Sequence, residues 1–259
     1  MFTQILGHIL AVGIGVSLGL IGGGGSILAV PLLVYVMGVG SKVAIAMSLA
    51  IVGTVSLVGA IPHWFQGNVN LKTVVIFTPV AMVGAYLGAR LAGLPFISDT
   101  FQLISFGVVM VIASVLMIVK GGKQPDSSTS AAPKHGPHSG PIQWLAIPSE
   151  GLGVGVLTGF VGVGGGFLII PALVLLGGIP MKEAVGTSLL IIAAKSATGF
   201  LGYLGQVEVD WNLIGSFTLA ASFGTLIGAY LTRFIEAKKL QSGFGYFVLA
   251  VAIFVLAKR

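Results

Sequence analysis

Long apolar runs alternate with short polar interruptions along the whole chain. They fall at about 5–37, 43–62, 73–92 and 101–119, and again at about 145–177, 184–204, 212–232 and 241–257. Most are close to the ~20 residues that carry a helix across a hydrocarbon core. The pattern predicts an all-α, polytopic membrane protein. Between the two sets lies KGGKQPDSSTSAAPKHGPHSGP, residues 120–141, whose Pro, Gly, Ser and Lys have nothing to bury. Residues 120–144 are read as a flexible polar linker between a first membrane repeat, 1–119, and a second, 145–259.

The two sets match without a gap at an offset of 140 residues. Gly19 pairs with Gly159, Gly22 with Gly162, Pro31 with Pro171, Gly38 with Gly178, Lys42 with Lys182, Ser48 with Ser188 and Gln66 with Gln206. Chance supplies matched Gly and Leu in such a chain, but not matched Pro, Lys and Gln at one constant offset. The expectation is two homologous halves, each of about four hydrophobic segments, a common plan among secondary transporters.

The first run of each half is too long. Residues 5–37 as one helix would reach roughly 50 Å at ~1.5 Å per residue, against a core of ~30 Å. Either a single tilted crossing unwinds at its glycines, or a re-entrant hairpin turns at GGGG, with arms of about 5–20 and 26–38 that are each too short to span. Loop charges bear on the choice. Eight crossings divide the Lys and Arg residues evenly between the faces. Hairpins put Lys72, Lys120, Lys123, Lys134, Lys182, Arg233, Lys238 and Lys239 on one face and only Lys42, Arg90, Lys258 and Arg259 on the other. That fits the positive-inside rule better and places the linker in the cytoplasm.

Composition sharpens the class. Hydrophobic residues make up 56% of the 259 and charged residues 8%, far below the ~25% charged of a soluble domain. The net charge of +6 lies mostly in short loops and at the C-terminus, with no basic-aromatic stripe to mark a nucleic-acid binder. No Cys occurs. No His, Asp or Glu cluster has metal-ligand spacing and no Ser, His and Asp set has catalytic spacing, so neither enzyme, metal site nor cofactor is expected.

The interruptions are the candidate site. GLIGGGGSILAVP (19–31) holds five glycines in thirteen residues, and GFVGVGGGFLIIP (159–171) nearly copies it. Non-helical backbone at membrane depth is tolerated where protein or a watery cavity shields it. Uncovered amides together with the positive end of a restarting helix bind anions without a cationic side chain. Gly22, Gly23, Gly24 and Gly25, with Gly162, Gly164, Gly165 and Gly166, are therefore candidate ligands. Gly-xxx-Gly pairs (Gly15/Gly19, Gly84/Gly88, Gly151/Gly155, Gly224/Gly228) are read as helix contacts instead; four glycines in a row exceed what a contact face needs. No strand precedes GVGGG and no Gly-Lys-Ser/Thr completes it, so a nucleotide loop is rejected.

Polar residues at membrane depth extend the site. Lys195 stands eleven residues beyond Ala184 in its helix. An intramembrane Lys costs about 2.5–3.5 kcal/mol on insertion scales, and from mid-helix the headgroups are a long reach for snorkelling. A substrate anion, or a coupling proton or cation, is its natural partner. Ser48, Ser56, Thr187, Ser188 and Ser196 are candidates for a hydroxyl shell, with Ser188, Lys195 and Ser196 on one broad helical face and Thr54 and Thr198 as outer members. Each hydroxyl has the alternative of bonding its own helix backbone. His63, Trp64, Gln66, Tyr203 and Gln206 end their helices, where aromatic residues act as interfacial anchors. Glu208 and Asp210 are expected at a surface.

The two glycine blocks, followed by AMSLA (46–50) and AVGTSLL (184–190), resemble the TauE/SafE (sulfite exporter) family of membrane permeases over nearly the whole chain. Gly23 stands where the second block has Val163, and Met47 where the second repeat has Thr187. The resemblance implies movement of a small sulfur-containing anion, such as sulfite or an organosulfonate, across the bacterial inner membrane, with the lipid bilayer and the anion as partners. An anion channel and a solute-free membrane scaffold remain alternative readings of the same glycines.

Overall fold

The fold is that of a computed structural model, which describes residues 2–92, 99–121, 142–161, 166–203 and 207–257. Residues 122–141 of the linker, Gly162, Gly164 and Gly165 of the second break, and Gln206 lie outside the described residues.

Every described element is helical, as lipid requires of backbone that must satisfy its own hydrogen bonds. The chain runs α1 Phe2–Ile21, α2 Gly24–Pro31, α3 Ser41–Phe65, α4 Leu71–Ala92 and α5 Asp99–Gly121. It continues with α6 Ile142–Val161, α7 Gly166–Pro171, α8 Met181–Tyr203, α9 Trp211–Leu231 and α10 Ala237–Ala257. Among the described residues, α1, α3, α4, α8 and α9 contain stretches long and apolar enough to cross a membrane.

The overlong first run divides at its glycines. α1 stops at Ile21, Gly22 adopts φ 78°, a conformation that glycine reaches without a Cβ penalty, and α2 starts two residues later. α2 then returns along α1. A Cβ placed on Gly25 would press on the Ile14 carbonyl and Leu18, and one on Gly7 would lie 2.7 Å from Met37 Sδ. Residue 37 is thus back at the level of residue 7. The first arm differs from expectation: with 20 residues it reaches roughly 30 Å, long enough to span, because the helix starts already at Phe2 and runs on to Ile21. The return arm is the short one.

That arm ends in a π-helical turn, Leu32–Val36. Pro31 has no amide hydrogen to continue the i→i−4 ladder, and wider bonds follow: Met37 N–H donates to the Leu32 carbonyl at 3.2 Å and Val39 N–H to the Leu33 carbonyl at 3.0 Å. After Pro171 the chain does the same, with Gly177 N–H on Ala172 O at 3.0 Å and Ile179 N–H on Leu173 O at 2.9 Å.

Three helix pairs hold the molecule together. α1 lies parallel to α9, and α4 parallel to α6. Glycine makes both contacts close: a Cβ on Gly15 would overlap the Ala221 carbonyl, on Gly19 the Thr225 carbonyl, and on Gly155 the Ala81 carbonyl. Without a hydrophobic drive between helices in lipid, such close backbone packing is the main cohesive contribution. Thr225 Oγ1 adds a buried hydrogen bond to the Gly15 carbonyl at 2.8 Å. The third pair, α3 with α8, is antiparallel: Leu49 meets Gly199, Gly53 meets Ser196 and Gly59 meets Leu189. This is the relative direction that the hairpin arrangement expects, and the two helices cross near their middles.

Candidate functional site

The first turns of α2 and α7 meet at the centre of the bundle. A Cβ on Gly166 would lie 2.8 Å from Ser26 Oγ and 2.9 Å from Ile192 Cδ1. Ile192 is the middle residue of α8, so the meeting point is at mid-height. Ser26 and Gly166 are also counterparts at the 140-residue offset. The opening amides of a helix have no intrahelical acceptor, and Gly23, the N-cap of α2, has no side chain to cover them. Gly22, Gly23, Gly24 and Gly25 are all buried. Gly22 sits against α8, where a Cβ would come within 2.6 Å of Ser188 Oγ and 3.0 Å of the Val185 carbonyl. Glycine is therefore required there twice over, by φ and by space.

Lys195 lies one turn beyond Ile192 on α8 and points to α6, where Nζ donates to Thr158 Oγ1 at 3.2 Å. Thr158 is free to accept because its own hydroxyl hydrogen goes to the Gly155 carbonyl at 3.0 Å. A neutral hydroxyl leaves the ammonium charge uncompensated. The counterpart positions in the first half are Val55 and Leu18, and these two line a small apolar cavity with Ile14, Ile51 and Phe217. Its volume of about 20 Å³ is room for one water-sized particle. Positions 195 and 158 thus carry an ammonium and a hydroxyl where positions 55 and 18 carry apolar side chains.

The hydroxyl candidates separate. Ser188 Oγ donates to the Val185 carbonyl and Ser48 Oγ to the Ile45 carbonyl, both at 2.8 Å; each keeps lone pairs but has spent its hydrogen on its own helix. Ser56 is fully buried and its oxygen has no hydrogen-bond partner among the described residues. Ser196 packs against Gly53 of α3, where α3 and α8 cross. Thr54 and Thr198 are exposed and bonded to their own helices, Thr54 to the Ala50 carbonyl at 2.9 Å and Thr198 to the Lys195 carbonyl at 2.8 Å, so neither reaches the centre. Thr187 is fully buried, and its Oγ1 accepts the Asn70 N–H at 2.9 Å.

The end of α3 also departs from expectation. Trp64 is exposed, as an anchor should be, but His63 is fully buried. Its Nε2 donates to the Gly19 carbonyl at 3.0 Å, while Nδ1 has no partner among the described residues. The break in α1 explains this bond: Gly19 O has lost its helical donor, since Gly23 N–H turns to the Ile21 carbonyl at 3.0 Å. Thr232 Oγ1 shares the same carbonyl at 3.4 Å. Glu183, which carried no special signal in the sequence, accepts from Asn70 Nδ2 at 2.8 Å. Asp210 and Glu208 are exposed as expected, and Asp210 caps α9 through the amides of Asn212 and Leu213.

This combination of a glycine-broken helix pair and a helical membrane bundle agrees with the comparisons to known proteins. The sequence profile described as Sulfite exporter TauE/SafE matches residues 8–255. The chain belongs to the TauE/SafE family. Membership gives it a place among transport proteins and not among enzymes. Its relatives include a probable membrane transporter protein of Xylella fastidiosa Temecula1, 34% identical over 247 residues, covering 94% of this chain and 91% of that protein. The probable membrane transporter protein YdhB of Bacillus subtilis is 27% identical over 234 residues, covering 88% and 90%. A third, from Haemophilus influenzae, is 26% identical over 281 residues and covers both chains fully. No solved structure matches the chain. As a TauE/SafE protein built of apolar helices, it is a multi-pass protein of the bacterial inner membrane.

Proposed function

We propose that the chain is a secondary transporter of two homologous, inverted halves, and that it moves a small sulfur-containing or other organic or inorganic anion, such as sulfite or an organosulfonate. The observation that carries the reading is the meeting of the α2 and α7 first turns at mid-height, beside Ile192, on the helix that carries Lys195 one turn farther on. Inverted halves are supported by reciprocal packing: α1 on α9 answers α6 on α4, and Ser26 touches its own counterpart Gly166. In this arrangement Lys72, Lys182 and Arg233 share the linker's face, which positive charge assigns to the cytoplasm.

The bound anion would take hydrogen bonds from amides at Gly22–Gly25 and Gly162–Gly166. Lys195 would supply charge, and Ser48, Ser56, Thr187, Ser188 and Ser196 are the candidate hydroxyl shell. Transport proceeds by one half moving against the other, driven by the anion's own gradient or by a coupled proton or cation.

Purified protein tests the reading. A thermal-shift screen against sulfite, sulfate, thiosulfate, sulfoacetate and simple carboxylates should reveal at least one stabilising anion, since a ligand at about one hundred times its Kd adds about 2.7 kcal/mol. That anion should enter proteoliposomes saturably and without single-channel currents. Stabilisation by none of them, or unitary currents, would overturn the proposal.

A further inference from the structure

The turn between α3 and α4 is bound tightly to the start of α8, the helix whose Val185 and Ser188 receive Gly22. Asn70 makes the grip with both ends: its N–H donates to Thr187 Oγ1 at 2.9 Å and its Nδ2 to Glu183 Oε1 at 2.8 Å. Its remaining oxygen, Oδ1, accepts Thr73 N–H at 3.0 Å and starts α4. Two residues earlier the Asn68 carbonyl lies so close to Gly186 that any Cβ there would overlap it. The turn itself is stiff, because Asn68 N–H is held by the His63 carbonyl at 2.9 Å. Gln66 Nε2 ties it to α9 through the Ala229 carbonyl at 3.3 Å.

At the opposite end, the start of α3 does not offer the α8–α9 turn the same acceptors. Glu183, Gly186 and Thr187 correspond to Val43, Ala46 and Met47, and none of these side chains accepts a hydrogen bond of this kind. Asp210, the counterpart of Asn70, spends its carboxylate on the first amides of its own helix. Among the described residues, the polar latch that holds one end of the molecule has no counterpart at the other.

We infer that Asn70 is the gate residue on the α3–α4 face, and that release of its bonds to Glu183 and Thr187 opens the first break to that side. The inference rests on the proposed transport role, since a gate presupposes a passenger. Its test needs no substrate.

The absence of Cys allows a single reporter, Ser26→Cys, at the meeting of the two first turns. Its labelling by a membrane-impermeant maleimide is timed in vesicles of both orientations. Asn70→Asp keeps the oxygen that caps α4 but faces the Glu183 carboxylate with another carboxylate. Adding Glu183→Gln restores a hydrogen bond with donor and acceptor exchanged. Labelling from the α3–α4 face should rise roughly tenfold or more in Asn70→Asp, the population shift expected from losing one charge-assisted hydrogen bond, and return toward the starting rate in the double variant. Labelling from the other face should not rise. Equal rates in all three proteins from the α3–α4 face, or a rise that the double variant does not reverse, would overturn the gate while leaving the anion proposal to stand or fall on its own binding measurements.

Discussion

Lys195 shows what sequence and structure each contribute. A cation eleven residues into an apolar helix is visible without coordinates, because lipid makes it costly. Its partner is not: Thr158 is 37 residues away in sequence and an unremarkable threonine in an apolar run. The Thr158 hydroxyl solvates the ammonium without neutralising it, so Lys195 is costly to stability and, in the proposed site, is the charge offered to the anion. Lys195→Met should therefore raise the thermal midpoint of the purified protein while lowering anion uptake about tenfold or more, the separation expected where function is bought with stability. Parallel melting and uptake measurements check both directions. Gly22 gives the opposite case. Gly22→Ala meets an unfavourable φ and the Ser188 hydroxyl together, and should lower unfolding stability by about 1–3 kcal/mol, read as a shift in the denaturation midpoint. Hydroxyls were the least legible group. Whether Thr187 faces a passenger or the Asn70 amide depends on a contact 117 residues away, and no local pattern carries that. The burial of His63 was hidden for the same reason: it answers a carbonyl that only the break in α1 sets free.

At the scale of elements, the hydrophobic runs marked nearly every helix, because a spanning segment must be apolar for its full length whatever it packs against. The division of 5–37 was readable from GGGG and from arithmetic on helix length. The direction of the return arm was not, beyond the uneven split of loop charges. The Gly-xxx-Gly pairs read as contact faces are so used where the structure describes them: Gly84 lies against Leu152 and Val156 of α6, and Gly224 against Val12 and Val16 of α1. These contacts leave no room for a methyl group. Gly19→Ala, whose Cβ would overlap the Thr225 carbonyl, should cost about 1–3 kcal/mol and loosen α1 from α9. Gly13→Ala on the same helix, where a Cβ meets nothing within 4 Å, should be near neutral or stabilising because alanine favours helix by about 1 kcal/mol. Unfolding in mixed detergent micelles compares the two.

For the whole molecule, residues paired at a 140-residue offset are visible in the sequence, while the relative direction of the helices that carry them is not. The antiparallel crossing of α3 and α8 puts the α3–α4 turn and the start of α8 on one face and the α8–α9 turn on the other. Single cysteines at Lys72 and Lys182 should label from the same side of the membrane, and one at Asp210 from the opposite side. Eight unbroken crossings would instead separate Lys72 from Lys182. In the proposed site, the asymmetry of Lys195 and Thr158 against Val55 and Leu18 would make the two glycine breaks contribute unequally to the anion. The near-copy in sequence conceals that difference because only two side chains carry it.

Amide hydrogen exchange across Gly22–Ser26, recorded with and without the anion that stabilises the protein best, reaches the centre of the proposal. Slower exchange at these amides on addition of the anion, lost in Lys195→Met, is the expected result. Transport of that anion with exchange there unchanged would contradict the assignment of the glycine breaks as its binding site.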